Sequence, residues 1–285
     1  MRRVVVIGSA TVDEVKRTGT SITKMGGVVT YTGMTFQKHG LNTCVVSNIA
    51  AEDRQLFRIL RGQSIQIFNG VTDRTTVFVN YVNGDQRRQQ MPVHASPITA
   101  EQARDALESA DHIHLGPLHP SDIQADLLTL VGEKKVRVTL DVQGLVRRID
   151  NGQVHIGVSE RLHLALLCSS LIKADRAEVE AILDARQMGI EELMKAYELD
   201  EVVVTAGREG GRVTAASGEV VGYKAARVSQ VVDTTGAGDV FFGAYLCSRL
   251  HERRSIRESC EHAALVAAQQ VQGRYITQET LQVTR

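Results

Sequence analysis

Asp233-Thr234-Thr235-Gly236-Ala237-Gly238-Asp239 stands between a β-branched run, Val228 to Val232, and an apolar-periodic segment that begins at Val240. That succession predicts a strand passing through a glycine turn into a helix. Amides in a first helical turn have no intrahelical partner and the macrodipole is positive there, which makes the turn an anion site. Gly236, Ala237 and Gly238 carry almost no side chain to hold phosphate oxygens away. Asp239 falls in the first turn, where a carboxylate repels phosphate but can take a proton from a hydroxyl attacking it. Phosphoryl transfer is the chemistry this suggests; a plain turn followed by a dipole-partner Asp is the alternative. A dinucleotide-binding GxGxxG is disfavoured because Phe241 stands where the third glycine belongs, and neither a GxxxxGK[ST] loop nor the protein-kinase HRD and DFG motifs occur.

Composition narrows the class. A chain of 285 residues can bury an ample core, and 33 basic against 33 acidic residues give no general attraction for nucleic acid or an anionic membrane. Any phosphate recognition must therefore be local. Cys44, Cys168, Cys247 and Cys260 are far apart and form no CxxC, so free thiols in a reducing compartment are expected. The apolar runs Val4 to Ile7 and Leu162 to Ile172 are too short for a signal core or a membrane span, so a cytoplasmic location is expected.

Along the chain, strands and helices alternate in the manner of a parallel α/β sheet. Val4 to Ile7 has no polar alternation and reads as a strand buried on both faces. Asp13 and Asp141 follow strands, at the carboxyl edge where such sheets collect ligands; each reads equally as a turn Asp. Gly26-Gly27 opens a helix over Val28 to Phe36, and further helices are expected over Glu52 to Gly62, Thr99 to Ser109, Ser121 to Leu130 and Glu258 to Gln272. Thr75 to Val82 and Arg87 to Met91 flank Asn83-Gly84-Asp85, a hairpin signal that suggests a water-excluding cover. His112 and His114 share a face without an evident third ligand, which favours a structural role. Asp175 and Glu178 have capping-box spacing; the functional alternative is a Glu that orders Mg²⁺ through water. Thr205 to Gly210 is either a nucleotide-gripping loop or a hairpin turn.

In this order and spacing, the marks resemble those of the ribokinase-like (PfkB) family of sugar and nucleoside kinases. The resemblance covers nearly the whole chain. It implies one three-layer α/β domain over residues 1–285, with a mainly parallel sheet flanked by helices and a small β lid drawn from residues 12–24 and 72–91. By the same resemblance Asp239 is the catalytic base, and Gly236, Ala237 and Gly238 hold the transferring phosphoryl group. ATP lies against Thr205, Ala206, Gly207 and Gly210, with His262 near the adenine where many members have Asn. Asp175 takes the place of the family's usual Asn ahead of Glu178, the Mg²⁺ acid. Thr11, Asp13, Gly26, Gly27, Tyr31, Asp141 and Gln143 are placed at the substrate. Asp233, Thr235, Gly273 and Thr277 match loops that hold a monovalent cation, K⁺, in some members.

The run from Asp141 to Arg147, with Lys173-Ala174, is similar to the myo-inositol kinase branch, so a cyclic polyol is the leading substrate. Alternatives are a sugar or nucleoside kinase, a non-catalytic sensor motivated by Asp175, and a homodimer formed through the lid.

Overall fold

The computed structural model describes residues 2–17, 19–83 and 86–282. Their strands are β1 (Arg3–Gly8), β2 (Thr11–Arg17), β3 (Thr20–Gly26), β4 (Asn42–Ser47), β5 (Gln66–Asn69), β6 (Thr76–Asn83), β7 (Gln86–Val93), β8 (His112–Gly116), β9 (Arg137–Asp141), β10 (Arg147–Asp150), β11 (Gln153–Ile156), β12 (Leu171–Asp175), β13 (Glu201–Thr205), β14 (Gly211–Ala215) and β15 (Val220–Tyr223). They form a nine-stranded sheet, ordered β15-β14-β13-β12-β9-β8-β1-β4-β5, and a six-stranded sheet, ordered β10-β11-β7-β6-β2-β3.

In the large sheet, the neighbours from β13 through β12, β9, β8, β1 and β4 to β5 pair in parallel, while β14 and β15 close one edge antiparallel. The all-apolar β1 behaves as such a run must. Val4 and Val6 point into one core with Phe36 and Phe242, whereas Val5 and Ile7 point into the other with Leu115 and Leu140. Helices therefore cover both faces, the three-layer α/β arrangement expected from the alternation.

The smaller sheet exceeds the expected lid. Besides β2, β3, β6 and β7 it recruits the hairpin β10–β11, two short strands of which β11 pairs with β7 through Gln153 and Gln90. Gly84 and Asp85 of the expected turn lie outside the described residues.

Two local expectations are corrected. Val228 to Val232 is irregular, not a strand: Val232 N and Asp233 N donate to Val271 O, at 2.9 and 3.2 Å, and Val231 is 61% exposed. The run is thus moored to a helix end, with no strand beside it to complete a ladder. The helix expected from Ser121 begins only at Ala125, because Ile98 N donates to Asp122 O and Gln124 N to Ile98 O, which holds residues 122–124 extended.

Candidate active site

The helix Ala237–Leu246 starts from Gly236, whose φ of 73° is in the left-handed region. Asp233 builds the approach: its Oδ1 accepts from Thr235 N at 2.9 Å and from Thr235 Oγ1 at 2.7 Å. The Tyr31 ring packs beneath, so that a Cβ at Gly236 would fall 2.3 Å from it. Glycine is required twice over, by conformation and by contact. Gly236→Ala should therefore cost about 1–3 kcal/mol of stability and misplace the amides that follow. Urea unfolding beside initial rates checks this, with losses expected in both.

A cavity of about 310 Å³ opens over this turn at the carboxyl edge of the large sheet, roofed by the smaller one. Of the residues expected at the substrate, Thr11, Asp13, Gly27, Tyr31 and Gln143 line it, together with residues 235–239. Gly26 is set back against the Asp13 carboxylate, where an added Cβ would meet Asp13 Oδ2 at 2.3 Å. Thr11 Oγ1 donates to Asp13 Oδ1 at 2.6 Å, fixing that carboxylate.

Asp141, also expected at the substrate, is not among the residues that line the cavity. It is fully buried, its Oδ2 accepts from Lys173 Nζ at 2.9 Å, and its Oδ1 accepts from Gln143 N at 3.1 Å. Its pairs are all internal, so it serves Lys173.

Lys173, noted in sequence only for its resemblance and not among the expected site residues, lines the cavity. Its Nζ lies 3.4 Å from where a Cβ on Gly238 would stand, which puts the ammonium beside the anion turn. Burial works against its charge, but Asp141, Glu178 and Asp239 outweigh burial and hold its pKa above the ordinary lysine value. A lysine inside the buried run Leu171-Ile172-Lys173-Ala174 was the available signal.

Arg147 also lines the cavity, its guanidinium 5.3 Å from the centre of the Phe78 ring. It donates to Leu118 O at 3.1 Å and to Gln89 Oε1 at 3.2 Å, while Gln89 Nε2 donates to Asn80 Oδ1 at 2.9 Å. These bonds tie three strands of the roof to the cavity wall.

Asp239 sits among these charges. Burial raises its pKa first and Asp141 next, Lys173 and Arg147 lower it, and the balance is about 7. A carboxylate that exchanges its proton near neutrality, beside amides and an ammonium that attract phosphate, can accept a hydroxyl proton as phosphorus is attacked.

Asp175 and Glu178 do form the capping box. Asp175 N donates to Glu178 Oε2 and Glu178 N to Asp175 Oδ1, both at 2.8 Å. Each carboxylate has a second oxygen, and burial, with Asp141 and Asp175 adding to it against Lys173, raises Glu178 to about 7. A cation held through water would favour the charged form of Glu178, so the pair fits water-mediated Mg²⁺.

Thr205 ends β13, and in the loop that follows Ala206 N donates to Gly210 O at 2.7 Å across Gly207 and Glu209. These residues do not line the cavity but stand at the end of the strand next to Lys173. His262, expected near adenine, is 3.0 Å from His39 Nε2 through its own Nε2. His112 and His114 share Thr139 Oγ1, at 2.9 and 3.0 Å, a structural role within the core.

A larger cavity, about 660 Å³, opens at the opposite ends of the strands. Of the four arginines that line it, Arg137 and Arg249 are paired with Asp200 and Glu201, and the lining includes none of residues 233–239.

A glycine turn at a helix start, beside a carboxylate with a pKa of about 7 and in a cavity roofed by a β sheet, is an arrangement suited to phosphoryl transfer to a small molecule. The chain belongs to the pfkB family of carbohydrate kinases, whose model matches residues 1–281. No curated protein matches it. Among solved structures, a sulfate complex of a pyrophosphate-dependent kinase in the ribokinase family has a TM-score of 0.82 at 23% identity, covering 94% of this chain and 95% of that one. A pyrophosphate-dependent myo-inositol-1 kinase, converted into a myo-inositol-3 kinase by two substitutions, has 0.80 at 22%, covering 97% and 96%. Ribokinase from Thermotoga maritima has 0.75 at 19%, covering 99% and 96%. At these identities the likeness is one of fold.

Proposed function

We propose that this kinase transfers a phosphoryl group to one hydroxyl of a small polyol, with a cyclic polyol such as myo-inositol as the leading acceptor and ATP with Mg²⁺ as donor. The observation that carries the reading is Asp239, poised near neutrality beside the Gly236–Gly238 turn in a cavity with Asp13 and Gln143. Asp13, oriented by Thr11, accepts hydrogen bonds from acceptor hydroxyls, and Gln143 both donates and accepts. Asp239 takes the proton of the attacking hydroxyl. The amides of the turn and the Lys173 ammonium stabilise charge on the phosphoryl oxygens. Glu178 would hold Mg²⁺ through water, and the ion, when bound, neutralises donor phosphate charge. The roof excludes water that would otherwise accept the phosphoryl group.

A second donor, pyrophosphate, is favoured by one observation: His262, expected near adenine, has its Nε2 3.0 Å from His39 Nε2. A donor without a base has no need of that residue. Initial rates over inositols, pentoses, hexoses and nucleosides, each with ATP and with pyrophosphate, test both readings. Turnover of a cyclitol is expected, and activity confined to nucleosides would overturn the acceptor assignment.

The base also predicts a pH dependence. Asp239 must be ionised to act, and its pKa is about 7. Activity should therefore rise about tenfold per pH unit below that value and level off above it. A profile of kcat/KM for the acceptor that is flat from pH 5 to pH 8 would remove Asp239 from this role.

A further inference from the structure

The loops that resemble a monovalent-cation site do not fit a K⁺ ion here. Asp233 Oδ2 accepts from Lys24 Nζ in a buried ion pair and from Gln278 Nε2 at 3.4 Å. Both Asp233 oxygens are thus engaged, since Oδ1 already receives the two Thr235 donors. The Thr235 carbonyl, a ligand of the kind K⁺ would use, accepts from Gln270 Nε2 at 3.4 Å, and Gln270 Oε1 accepts from Ile276 N at 3.0 Å. Gly273 turns with φ 68° against Val232, and Thr277 Oγ1 caps the helix Gln278–Leu281 by accepting from Thr280 N at 3.2 Å. The Asp233 carboxylate, the Thr235 carbonyl and Thr277 Oγ1 are therefore met by donors from the chain itself.

We infer that the Lys24 ammonium takes the place of the monovalent cation, so that the Asp233–Asp239 turn is held in its anion-binding form without K⁺. Lys24 is 2% exposed and Asp233 8%, and a lysine so buried stands only opposite a counter-charge. A second cation within a few ångströms would meet strong repulsion at low dielectric. Burial alone would raise the Asp233 carboxyl, but Lys24 and the Thr235 donors hold it below the ordinary carboxylate range.

The placement also changes what the positive charge is attached to. Lys24 belongs to β3, at the edge of the roof sheet, and its backbone bridges to Gln282 near the carboxyl-terminal end. Lys24 thus ties the roof to the turn through a side chain, beside Arg17 of β2, which donates to Val232 O at 3.1 Å. It is a positioning residue, acting through Asp233 on the amides that follow.

Two readouts test this, and only one depends on the proposed phosphotransfer. Crystals soaked in RbCl should show no anomalous peak within ligand distance of Asp233, which requires no turnover. Initial rates in KCl and in tetramethylammonium chloride at equal ionic strength should agree within about twofold for the native chain. Lys24→Met should lose about tenfold or more in tetramethylammonium and recover in KCl. A Rb⁺ peak at Asp233 in the native protein, stimulation of the native rate several-fold by KCl, or a folded Lys24→Met protein indifferent to KCl would each overturn the inference. Should the variant not fold, the two measurements on the native chain decide. A chain inactive with every donor and acceptor would defeat the kinase reading and leave the Rb⁺ result standing.

Discussion

Asp239→Asn is expected to lower kcat by about 10²-fold or more while KM for donor and acceptor stays within a few-fold. The amide keeps the size and hydrogen-bonding reach of the side chain but cannot take a proton, so the loss falls on the chemical step. The same substitution should stabilise the fold. The Asp239 pKa rises from 3.8 to about 7 on folding, so the native state binds more protons between those values. Stability from this group is therefore full below pH 4 and is lost as pH rises through about 7. Removing the carboxylate should return on the order of 1–3 kcal/mol at pH 8, several degrees in Tm, and nothing near pH 4. Rates and thermal unfolding at the two pH values check the claim. A slow enzyme no more stable than the native one at pH 8 would mean that Asp239 is not held against its charge.

Lys173→Met should be costly in both respects. The ammonium is buried with Asp141 at 2.9 Å, so its loss leaves a fully buried carboxylate without its cation. Breaking such a pair from one side costs about 3–5 kcal/mol. It also removes positive charge beside Gly238 and leaves Asp239 facing Asp141 with less compensation, which raises the pKa of the base further. Phosphoryl transfer should fall, and its pH profile should move to higher pH. Adding Asp141→Leu should recover stability by removing the stranded charge without recovering turnover. Thermal unfolding and pH–rate curves of the single and double variants separate the two effects; recovery of turnover in the double variant would remove Lys173 from the site.

The features legible in sequence are those fixed by backbone chemistry over a few residues. The Asp233–Asp239 turn, Gly26-Gly27 and the Asp175–Glu178 box each need particular residue types at fixed spacing, and the unalternating Val4 to Ile7 could only be a doubly buried strand. What escaped was set by long-range pairing. Lys173 and Asp141 are 32 residues apart and Lys24 and Asp233 are 209 apart, so neither pair has a local signature. The β10–β11 hairpin leaves little trace because its strands are 4 residues each and mostly polar, too short a window for periodicity to stand out. Val228 to Val232 misled for the converse reason: β-branched residues favour extended backbone, but a strand also needs a neighbour, and here the amides reach a helix end instead. The strand-end position of Asp141 points toward ligands, but does not reveal its ion pair with Lys173 on the adjacent strand.

Asp239-dependent transfer to a polyol hydroxyl is the centre of this account, and ³¹P NMR of the native enzyme with Mg²⁺, a cyclitol and each donor observes it most directly. A new phosphomonoester resonance should grow as the donor is consumed, and should be essentially lost with Asp239→Asn. Donor hydrolysed to inorganic phosphate without a phosphomonoester, or a phosphomonoester formed equally fast by Asp239→Asn, would contradict it.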